Sequence, residues 1–340
     1  MRKESLENAI GMRLAHDITE VNPEADKKFC AFKRGHIVTE RDLEHLRRLG
    51  KHSLYVQDDS SEEMHEDEAA KSVAPLAAGD NIRFDAEPTE GKVGFYATCD
   101  GVFVVDAERL YQINSLEIPS FPTIHTNYPV REGTRVAAFR IIPLTCEPSL
   151  IRQVHAILSE PLFRVEPYML ETAGIVATGN ELYEGLIEDS FTEKLTEMLG
   201  NFGVRVTEAT ILPDEHRRIS ETVKRFSEDC DIVLVTGGTS VDPDDVTLQA
   251  MSSAGVSYEV HGAPIQPGNN FTIGYRDGVP VCAVPAAALY YKSTSLNVFL
   301  PRLLAGQKVS KEDVYRAGHG GLCHFCEKCH FPCCPFAVLG

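Results

Sequence analysis

Apolar residues in the second half of the chain alternate between short continuous runs and stripes at helical spacing. The run 232–235 is apolar at every position, as a strand buried on both faces of a parallel sheet requires. A similar run spans 173–177, and between the two runs Phe191 and Leu195 begin a stripe on one helix face. This alternation predicts an α/β fold over residues 171–306, with three α/β/α layers and a mainly parallel sheet.

The first half of the chain has a different pattern. Residues 1–73 contain one short amphipathic helix and end in an acidic stretch that begins at Asp58, which predicts a small α/β segment followed by a solvated linker. Residues 74–170 favour strands. In particular, the alternating runs 92–97 and 102–105 flank an Asp-Gly pair, which predicts a β-hairpin. We therefore expect a β-rich accessory module ahead of the α/β domain.

The charge balance narrows the choice of partners. The 340 residues include 33 Lys plus Arg against 50 Asp plus Glu, a net charge of −17. This excess argues against nucleic acid, because such binding depends on clustered cations. No apolar run reaches the roughly 18 residues that cross a membrane, and residues 1–8 lack the apolar core of a secretory signal. We expect a cytoplasmic protein that binds small molecules, since backbone N–H groups bind anions whatever the net charge.

The loop after the run 232–235 combines two glycines with three hydroxyl residues. They are Thr236, Gly237, Gly238, Thr239 and Ser240. Glycines let the backbone approach an anion closely, and the hydroxyls add donors. Three carboxylates follow, at Asp242, Asp244 and Asp245. They could hold a divalent cation or accept hydrogen bonds from a ligand, although a plain glycine turn before an Asp helix cap would have the same sequence.

Two further loops carry candidate ligand-binding residues. One follows the run 173–177 and leads into a helix that we expect to begin with a capping box at Ser190. Its candidates are Thr178, Gly179, Asn180, Glu181, Asp189 and Ser190. The other spans 261–270 and contains Pro267 and Gly268. Because ligands of such sheets bind beyond the carboxyl ends of the strands, we expect the loops to share one cleft.

The last segment, 307–340, is rich in cysteine. Five of the ten cysteines fall within twelve residues, at Cys323, Cys326, Cys329, Cys333 and Cys334. The first four match the C-x₂-C-x₂-C-x₃-C spacing of iron–sulfur proteins, and zinc would accept the same ligands. We predict a zinc or [4Fe–4S] centre in a tail that can be removed without unfolding the α/β domain. The alternative is an unstructured, redox-labile segment.

The ordered motifs of the α/β region resemble the molybdopterin-binding domain of molybdenum-cofactor biosynthesis proteins. The motifs are Thr178-Gly179-Asn180-Glu181-Leu182, Gly185, Ile187, Asp189-Ser190, Asp214, Asp231-Ile232-Val233, Thr236-Gly237-Gly238-Thr239-Ser240 and Asp245. The resemblance covers about residues 172–305. The stretches 14–19 and 31–36 also resemble the opening of the larger molybdopterin molybdotransferase-like proteins.

The resemblance implies that the sheet edge binds the phosphate and pterin of molybdopterin or of adenylylated molybdopterin. The glycine-serine loop would hold phosphate, and the acids would contact pterin, Mg²⁺ or the molybdate-transfer intermediate. The protein would then either insert molybdate as an enzyme or carry the cofactor to a molybdenum or tungsten client enzyme, and we expect a homo-oligomer. Where the molybdotransferases have a Pro-Gly-Asn-Pro turn, this chain has Val284-Pro285-Ala286-Ala287-Ala288, and a flanking lysine is absent at Gln266-Pro267-Gly268-Asn269. Both versions therefore stay open.

A second family resemblance gives an alternative function. Residues 242–247 are similar to the Pro-Thr-x-Asp-Asp-x-Thr stretch of competence-damage-inducible-like proteins, which share the fold and hydrolyse the pyrophosphate of ADP-ribose. In that case Asp244 and Asp245 would bind the metal that activates water. The deamidase domain that accompanies this stretch in that family is not apparent in the sequence.

Overall fold

The computed structural model describes residues 1–22, 27–58, 62–238 and 246–338. The chain divides into two compact units. The first unit consists of Met1–Tyr96, Asp106–Ile124 and Arg135–Phe163, and the second of Ala97–Val105, His125–Thr134 and Arg164–Gly340. The four segments predicted from the sequence have different boundaries and stay a prediction of domain organisation. None of the helices in the described residues has the length and apolarity that a membrane crossing requires.

Most of the secondary-structure elements up to residue 167 are short strands. They are β1 (Arg2–Ser5), β2 (Ile18–Asn22), β3 (Lys27–Phe32), β4 (Ser53–Val56), β5 (Met64–His65), β6 (Ile82–Phe84), β7 (Val93–Ala97), β8 (Gly101–Val105), β9 (Pro119–Ser120), β10 (Tyr128–Val130), β11 (Arg135–Ile141), β12 (Thr145–Cys146) and β13 (Phe163–Pro167). The helices here are α1 (Asp42–Arg48), α2 (Glu66–Ala77), α3 (Ala107–Asn114) and α4 (Pro148–Ile157). Sheets run in the orders β6-β7-β11-β9 and β10-β8-β13, and β1–β4, β2–β3 and β5–β12 form pairs.

The predicted hairpin at Asp100 is wrong. β7 pairs with β11, whereas β8 pairs with β10, so the two consecutive strands belong to different sheets. Gly101 is the first residue of β8 rather than part of a turn, and a Cβ there would overlap the carbonyl oxygen of Glu166. Glycine at this position allows two backbone segments to approach closely. An Asp-Gly pair can therefore indicate a close backbone approach as well as a hairpin turn.

The predicted acidic linker is wrong for residues 64–77, which form β5 and α2. Three acids occupy the first turn of α2, where the helix dipole favours negative charge. Glu66 among them is buried, and its Oε2 lies 3.2 Å from Nη2 of Arg140. Burial raises the pKa of Glu66, although the Arg140 charge opposes that shift. The acids therefore begin a packed helix.

The rest of the second unit alternates strands and helices. The strands are β14 (Thr172–Thr178), β15 (Arg205–Leu212), β16 (Ile232–Thr236), β17 (Ser257–His261), β18 (Thr272–Arg276) and β19 (Val279–Val284). The helices are α5 (Asn180–Tyr183), α6 (Ser190–Gly200), α7 (His216–Asp229), α8 (Thr247–Ser253), α9 (Ala287–Tyr290), α10 (Ser295–Leu304) and α11 (Lys311–Arg316).

These strands form one six-stranded sheet in the order β15-β14-β16-β19-β18-β17. The first four are parallel to one another, and β18 runs antiparallel to both of its neighbours. Alternate residues of each central strand face opposite sides: Ile232 and Leu234 pack with α6 and α10, whereas Val233 and Val235 pack with α7 and α8. The predicted three-layer α/β/α fold with a mainly parallel sheet is confirmed.

Two local features fix helices against this sheet. Gly174 in β14 lets α7 approach, because a Cβ there would lie 2.7 Å from Cδ2 of Phe226.

At the start of α6 the cap is Asp189, not Ser190 as predicted. The Asp189 carboxylate accepts hydrogen bonds from the backbone N–H groups of Phe191 and Thr192 at 2.9 and 3.1 Å and from the Thr192 hydroxyl at 2.5 Å. A carboxylate that takes three donors is the stronger cap.

The cysteine-rich segment is part of the core rather than a separable tail. Val309, Val314, Phe336 and Ala337 are buried in the same cluster as β14, β16 and α10. The chain also returns to the sheet through backbone hydrogen bonds on both sides of Gln266, from Gln266 N to Gly321 O at 2.7 Å and from Cys323 N to Gln266 O at 2.8 Å. Removing residues after 306 would expose this part of the core, which weighs against an independent tail; the segment as a separate domain stays a prediction.

We expect Phe336→Ala to lower the free energy of unfolding by about 3 kcal/mol, since it empties a buried aromatic site. Phe325→Ala is the matched control, because Phe325 belongs to the same segment but is 53% exposed. It should cost under about 1 kcal/mol. Urea unfolding of both variants measures the difference, and equal losses would show that the segment does not contribute to the core.

Asp231, at the start of β16, gives the fold a dependence on pH. Its Oδ2 accepts from Thr172 Oγ1 at 2.8 Å and from the N–H groups of Thr172 and Glu171 at 2.9 and 3.0 Å. Burial disfavours the charge, but these hydrogen bonds outweigh it and hold the pKa of Asp231 below its ordinary 3.8. A lowered carboxyl pKa contributes stability above the unfolded-state value, and this contribution is lost as the pH falls through the folded-state value.

Asp231→Ala should therefore cost about 2 kcal/mol at pH 7, and the gap to the unsubstituted protein should narrow below about pH 4. Urea unfolding at pH 7 and pH 3 measures both quantities. Glu221→Ala is the control, because Glu221 is an exposed partner of Arg217 on α7 and such pairs contribute under about 1 kcal/mol. A gap that stays constant with pH would contradict the role of the Asp231 charge.

Candidate functional site

The sheet brings the predicted loops together at one edge. Parallel β14, β15, β16 and β19 end at Thr178, Leu212, Thr236 and Val284, and the register pairs Thr178 with Leu212 and Thr236 with Val284. The antiparallel β18 begins at the same edge, since Thr272 pairs with Ala283. The loops that contain Gly179, Asp214, Gly237, Gly268 and Pro285 therefore share this edge, as the sequence predicts for a ligand site.

The centre of this edge is a contact between the backbones that follow β14 and β16. A Cβ at Gly237 would overlap the carbonyl oxygen of Thr178, so only glycine fits. Gly237 and Gly238 have φ of 86° and 52°, which side chains disfavour. Thr247 of α8 closes the contact: its Oγ1 donates to Gly237 O at 3.0 Å and lies 3.3 Å from Thr178 Oγ1. Gly237 is thus fixed against Thr178 and Thr247 at the start of the loop.

Thr236 adds a hydroxyl directly before the two glycines. It is fully buried, and its Oγ1 has no hydrogen-bond partner among the described residues. A buried hydroxyl without a partner is costly, so such a group commonly serves a ligand or a neighbouring loop. Positive φ at two successive glycines and an available hydroxyl together fit a site for phosphate oxygens.

The loop after β14 is fastened to the loop after β15. The backbone N–H of Asn180 donates to Asp214 Oδ2 at 3.1 Å, and the N–H of Asp214 donates to Asn180 Oδ1 at the same distance. This reciprocal pair fixes Asn180 while leaving it exposed at the edge. Glu181 is exposed beside it, and Ser190 lies exposed at the start of α6. Asn180, Glu181 and Ser190 are thus exposed near this edge, whereas Asp189 is occupied by its helix cap.

The loop with Pro267 and Gly268 packs on the start of α10. Ser295 donates from Oγ to Gly268 O at 2.6 Å and from N to Pro267 O at 3.3 Å. A Cβ at Gly268 would overlap Ser295 Oγ, so glycine is required by packing here. Both loop residues are buried. Their predicted ligand contacts stay a prediction, and the structure gives them a positioning role.

Five predicted site residues fall outside the described residues. They are Thr239, Ser240, Asp242, Asp244 and Asp245. The assignment of Mg²⁺ and of catalytic carboxylates rests on these positions and stays a prediction.

The cysteines of the last segment do not form the predicted closed centre. Within the ranges that the structure describes, no three His, Cys, Asp or Glu side chains are placed to hold one metal ion. Cys333 is turned to Tyr128, with its Sγ 2.9 Å from the phenol oxygen, whereas Cys329 lies 3.1 Å from Ser293 Oγ. The side-chain positions therefore do not support zinc or [4Fe–4S] at the predicted spacing.

Sequence reasoning missed three contributors to this edge. Tyr290 and Tyr291, which follow β19, are 79% and 43% exposed. Thr247 carries no motif, because a threonine in a helix is ordinary until its neighbours are known. Lys194 of α6 fixes the tyrosine segment by donating to Leu289 O at 2.6 Å and Tyr291 O at 3.2 Å, and burial lowers its pKa. Only the alternation break after Val284 signalled an exposed segment.

Comparison with known families agrees with this geometry. Residues 174–313 match the family model of a probable molybdopterin binding domain. Residues 3–58 match a domain of unknown function. The first match covers β14 to α11, which includes every described loop of the edge. The α/β part of the chain is thus similar to a probable molybdopterin binding domain, as the sequence motifs predict.

Curated relatives match parts of the chain. A CinA-like protein of Petrotoga mobilis is 39% identical over 80 residues, which is 24% of this chain and 20% of that protein. A Methanocaldococcus jannaschii protein whose name assigns it to molybdopterin biosynthesis is 27% identical over 177 residues, 47% of this chain and 44% of that protein. The chain therefore spans less than half the length of these relatives.

Two of the matching solved structures are of proteins named for molybdopterin biosynthesis. The molybdopterin biosynthesis enzyme MoaB of Thermus thermophilus is 22% identical, with a TM-score of 0.35, and covers 41% of this chain and 98% of its own. The molybdopterin biosynthesis MoeA protein of Pyrococcus horikosii is 14% identical, with a TM-score of 0.34, and covers 89% of this chain and 74% of its own. The fold assignment rests on the sheet topology and the family model.

Thr247→Val should lower the free energy of unfolding by about 1–2 kcal/mol, because Gly237 O loses its donor in a buried site. Thr247→Ser keeps the hydroxyl and should restore most of that loss. Urea unfolding of the two variants measures the difference. If the valine and serine variants are equally stable, the hydroxyl does not fasten the loop.

Proposed function

We propose that this protein binds molybdopterin, or adenylylated molybdopterin, at the carboxyl edge of the six-stranded sheet and acts in molybdenum-cofactor biosynthesis. The observation that carries the proposal is the contact of Gly237 with Thr178, because it holds two positive-φ glycines open beside a buried hydroxyl. An anion with several acceptor oxygens fits such a loop. The match of residues 174–313 to the model of a probable molybdopterin binding domain supports this ligand class.

Different residues along the edge would bind different parts of the ligand. Gly237 and Gly238 would donate backbone N–H groups to the phosphate, with Thr239 and Ser240 adding hydroxyl donors. Asn180 and Glu181 would contact the polar rim of the pterin, since the two reciprocal hydrogen bonds between Asn180 and Asp214 keep Asn180 in place at the edge. Thr178 is buried and shapes the loop through Thr247.

Two versions of the function differ in the chemistry after binding. In the enzymatic version, Asp242, Asp244 and Asp245 hold Mg²⁺ and the protein inserts molybdate with release of AMP. In the carrier version, the protein retains the cofactor and delivers it to a molybdenum or tungsten enzyme, as a cytoplasmic homo-oligomer. The segment 285–288 favours the carrier version, because it forms the start of α9 where the molybdotransferases have a Pro-Gly-Asn-Pro turn.

Gly238→Val should weaken molybdopterin binding more than tenfold while the fold remains, since a branched side chain is strained at φ 52° and blocks the backbone. Fluorescence titration with molybdopterin measures the affinity, and circular dichroism checks the fold. Gly200→Ala at the end of α6 is the control, because no atom lies within 4 Å of its Cβ position. Unchanged affinity of Gly238→Val would refute the loop assignment.

Incubation with adenylylated molybdopterin and molybdate separates the two versions. AMP release that Asp245→Asn abolishes, with pterin affinity retained, is the result expected of the enzyme. Tight pterin retention without AMP release is the result expected of the carrier.

A pyrophosphatase is the second candidate, favoured by the 39% identity to a CinA-like protein over 80 residues. In this version Asp244 and Asp245 would hold the metal that activates water against ADP-ribose. Release of AMP and ribose phosphate from ADP-ribose, with no affinity for molybdopterin, would establish this function in place of the first.

A further inference from the structure

A cavity of about 320 Å³ lies between residues 290–293, at the end of α9, and the cysteine-rich segment. We call it the thiol pocket, because Cys323, Cys326, Cys329 and Cys334 line it, with His324 and His330 in the same wall. Four thiols around one small cavity concentrate soft donor atoms. No step of the proposed function uses them.

The thiol pocket belongs to the edge that carries the phosphate loop. Pro267 forms part of its wall, and the Pro267 loop lies at the carboxyl edge of the sheet. Ser293 is buried in the opposite wall and contacts Cys329 at 3.1 Å. Cys333, by contrast, is not among the lining residues and contacts Tyr128. The walls are therefore fixed to the domain, and one cysteine of the same segment lies outside the pocket.

The cavity is larger than the space that a bare ion needs. Zinc bound by four thiolates has bonds of about 2.3 Å, which leaves no open space. In the described part of the chain, no three donor side chains converge to that degree. A volume of about 320 Å³ instead falls at the lower end of the range for small-molecule sites, roughly 300–1,000 Å³. A small molecule that presents a soft atom to the thiols fits this volume.

We propose that the thiol pocket binds a small molecule that carries a thiophilic metal ion, and that sulfur from Cys326 and Cys329 completes the coordination of that metal. Thiolates select soft metals, and each thiol that binds releases its proton to solvent. Because the small molecule brings donors of its own, two protein ligands are enough. The inference rests on the proposed function only for the identity of the natural carrier.

The choice of these two cysteines follows from burial. Cys326 is exposed and Cys329 half-buried, whereas Cys323 and Cys334 pack against the core. Aromatic rings flank the reachable pair: Tyr291 and Phe325 have centroids 5.6 Å apart, and both are substantially exposed. Phe325 also has φ 52°, an uncommon value for a bulky residue that is typical of ligand clamps. The rings can cover the organic part of the carrier.

The test uses Cd²⁺ supplied anaerobically as its one-to-one complex with 2,3-dimercaptopropane-1-sulfonate, so that the small molecule contributes two sulfurs. Gel filtration of the full chain, followed by metal and dithiol analysis, should recover one Cd²⁺ and one dithiol per chain. Cys326→Ser/Cys329→Ser should bind the complex at least tenfold more weakly. Cys326→Ser alone, at an exposed position, should also weaken binding and guards against a folding defect in the double variant.

Cys333→Ser is the matched control and should bind like the unsubstituted chain. If Cys333→Ser loses the complex as fully as the double variant does, the four-cysteine spacing holds a closed centre and the inference is overturned. Retention of Cd²⁺ with loss of the dithiol also overturns it, because the site then takes a bare ion. Unchanged binding by the double variant has the same consequence.

The result is separable from the proposed function. Gly238→Val should still retain the Cd²⁺–dithiol complex, because that loop does not line the pocket. A chain that binds this complex but not molybdopterin supports the thiol pocket and overturns the proposed function. A chain that binds molybdopterin but not the Cd²⁺–dithiol complex supports the proposed function and overturns the thiol pocket.

Discussion

Parallel pairing of four strands is the constraint on which the candidate site depends. Because β14 pairs in parallel with both β15 and β16, and β16 with β19, their carboxyl ends meet at one edge. Parallel pairs need helical crossovers, and the crossovers cover both faces of the sheet. The central strands must then be apolar on both sides, which Ile232–Thr236 satisfies with complete burial. Loops far apart in sequence become neighbours for this reason alone.

The close approach of β14 and β16 also decides which residues can follow them. The register places Ala177 opposite Thr236, so the next residues of each strand have almost no room between them. Gly237 resolves this conflict by offering backbone where any other residue would place a side chain. The same contact fixes the backbone at the start of the candidate phosphate loop. A packing requirement and a binding surface thus arise from one contact.

The sequence predicts the α/β domain well because each of its elements has a local signature. Apolar runs and stripes such as Phe191 and Leu195 depend on neighbours within a few residues. The wrong predictions concern residues whose partners are distant in the sequence. Gly101 in the first half was assigned to a hairpin, and Glu66 to a linker, because their roles depend on Glu166 and Arg140, which are 65 or more residues away. No local pattern records such partners.

The candidate site divides in the same way. The glycine turns at Gly179 and Gly237 could be predicted, since glycine is required by backbone geometry that leaves a trace in the sequence. Thr247 could not, because its importance comes from Gly237 O and Thr178 at the other side of the loop. The exposure of Tyr290 and Tyr291 could not be predicted either, because an aromatic pair next to an apolar helix has the composition of a core.

Phe336 connects the wall of the thiol pocket to the folding of the domain. Its ring lines the cavity and is also buried in the main cluster beside Phe331. An occupant that holds this wall therefore stabilises the whole domain, by about 2.7 kcal/mol at a hundred times its dissociation constant. Such a difference changes the unfolded fraction roughly a hundredfold, and the unfolded fraction is what cellular proteases degrade. The lifetime of the protein in the cell would then follow the supply of its ligand.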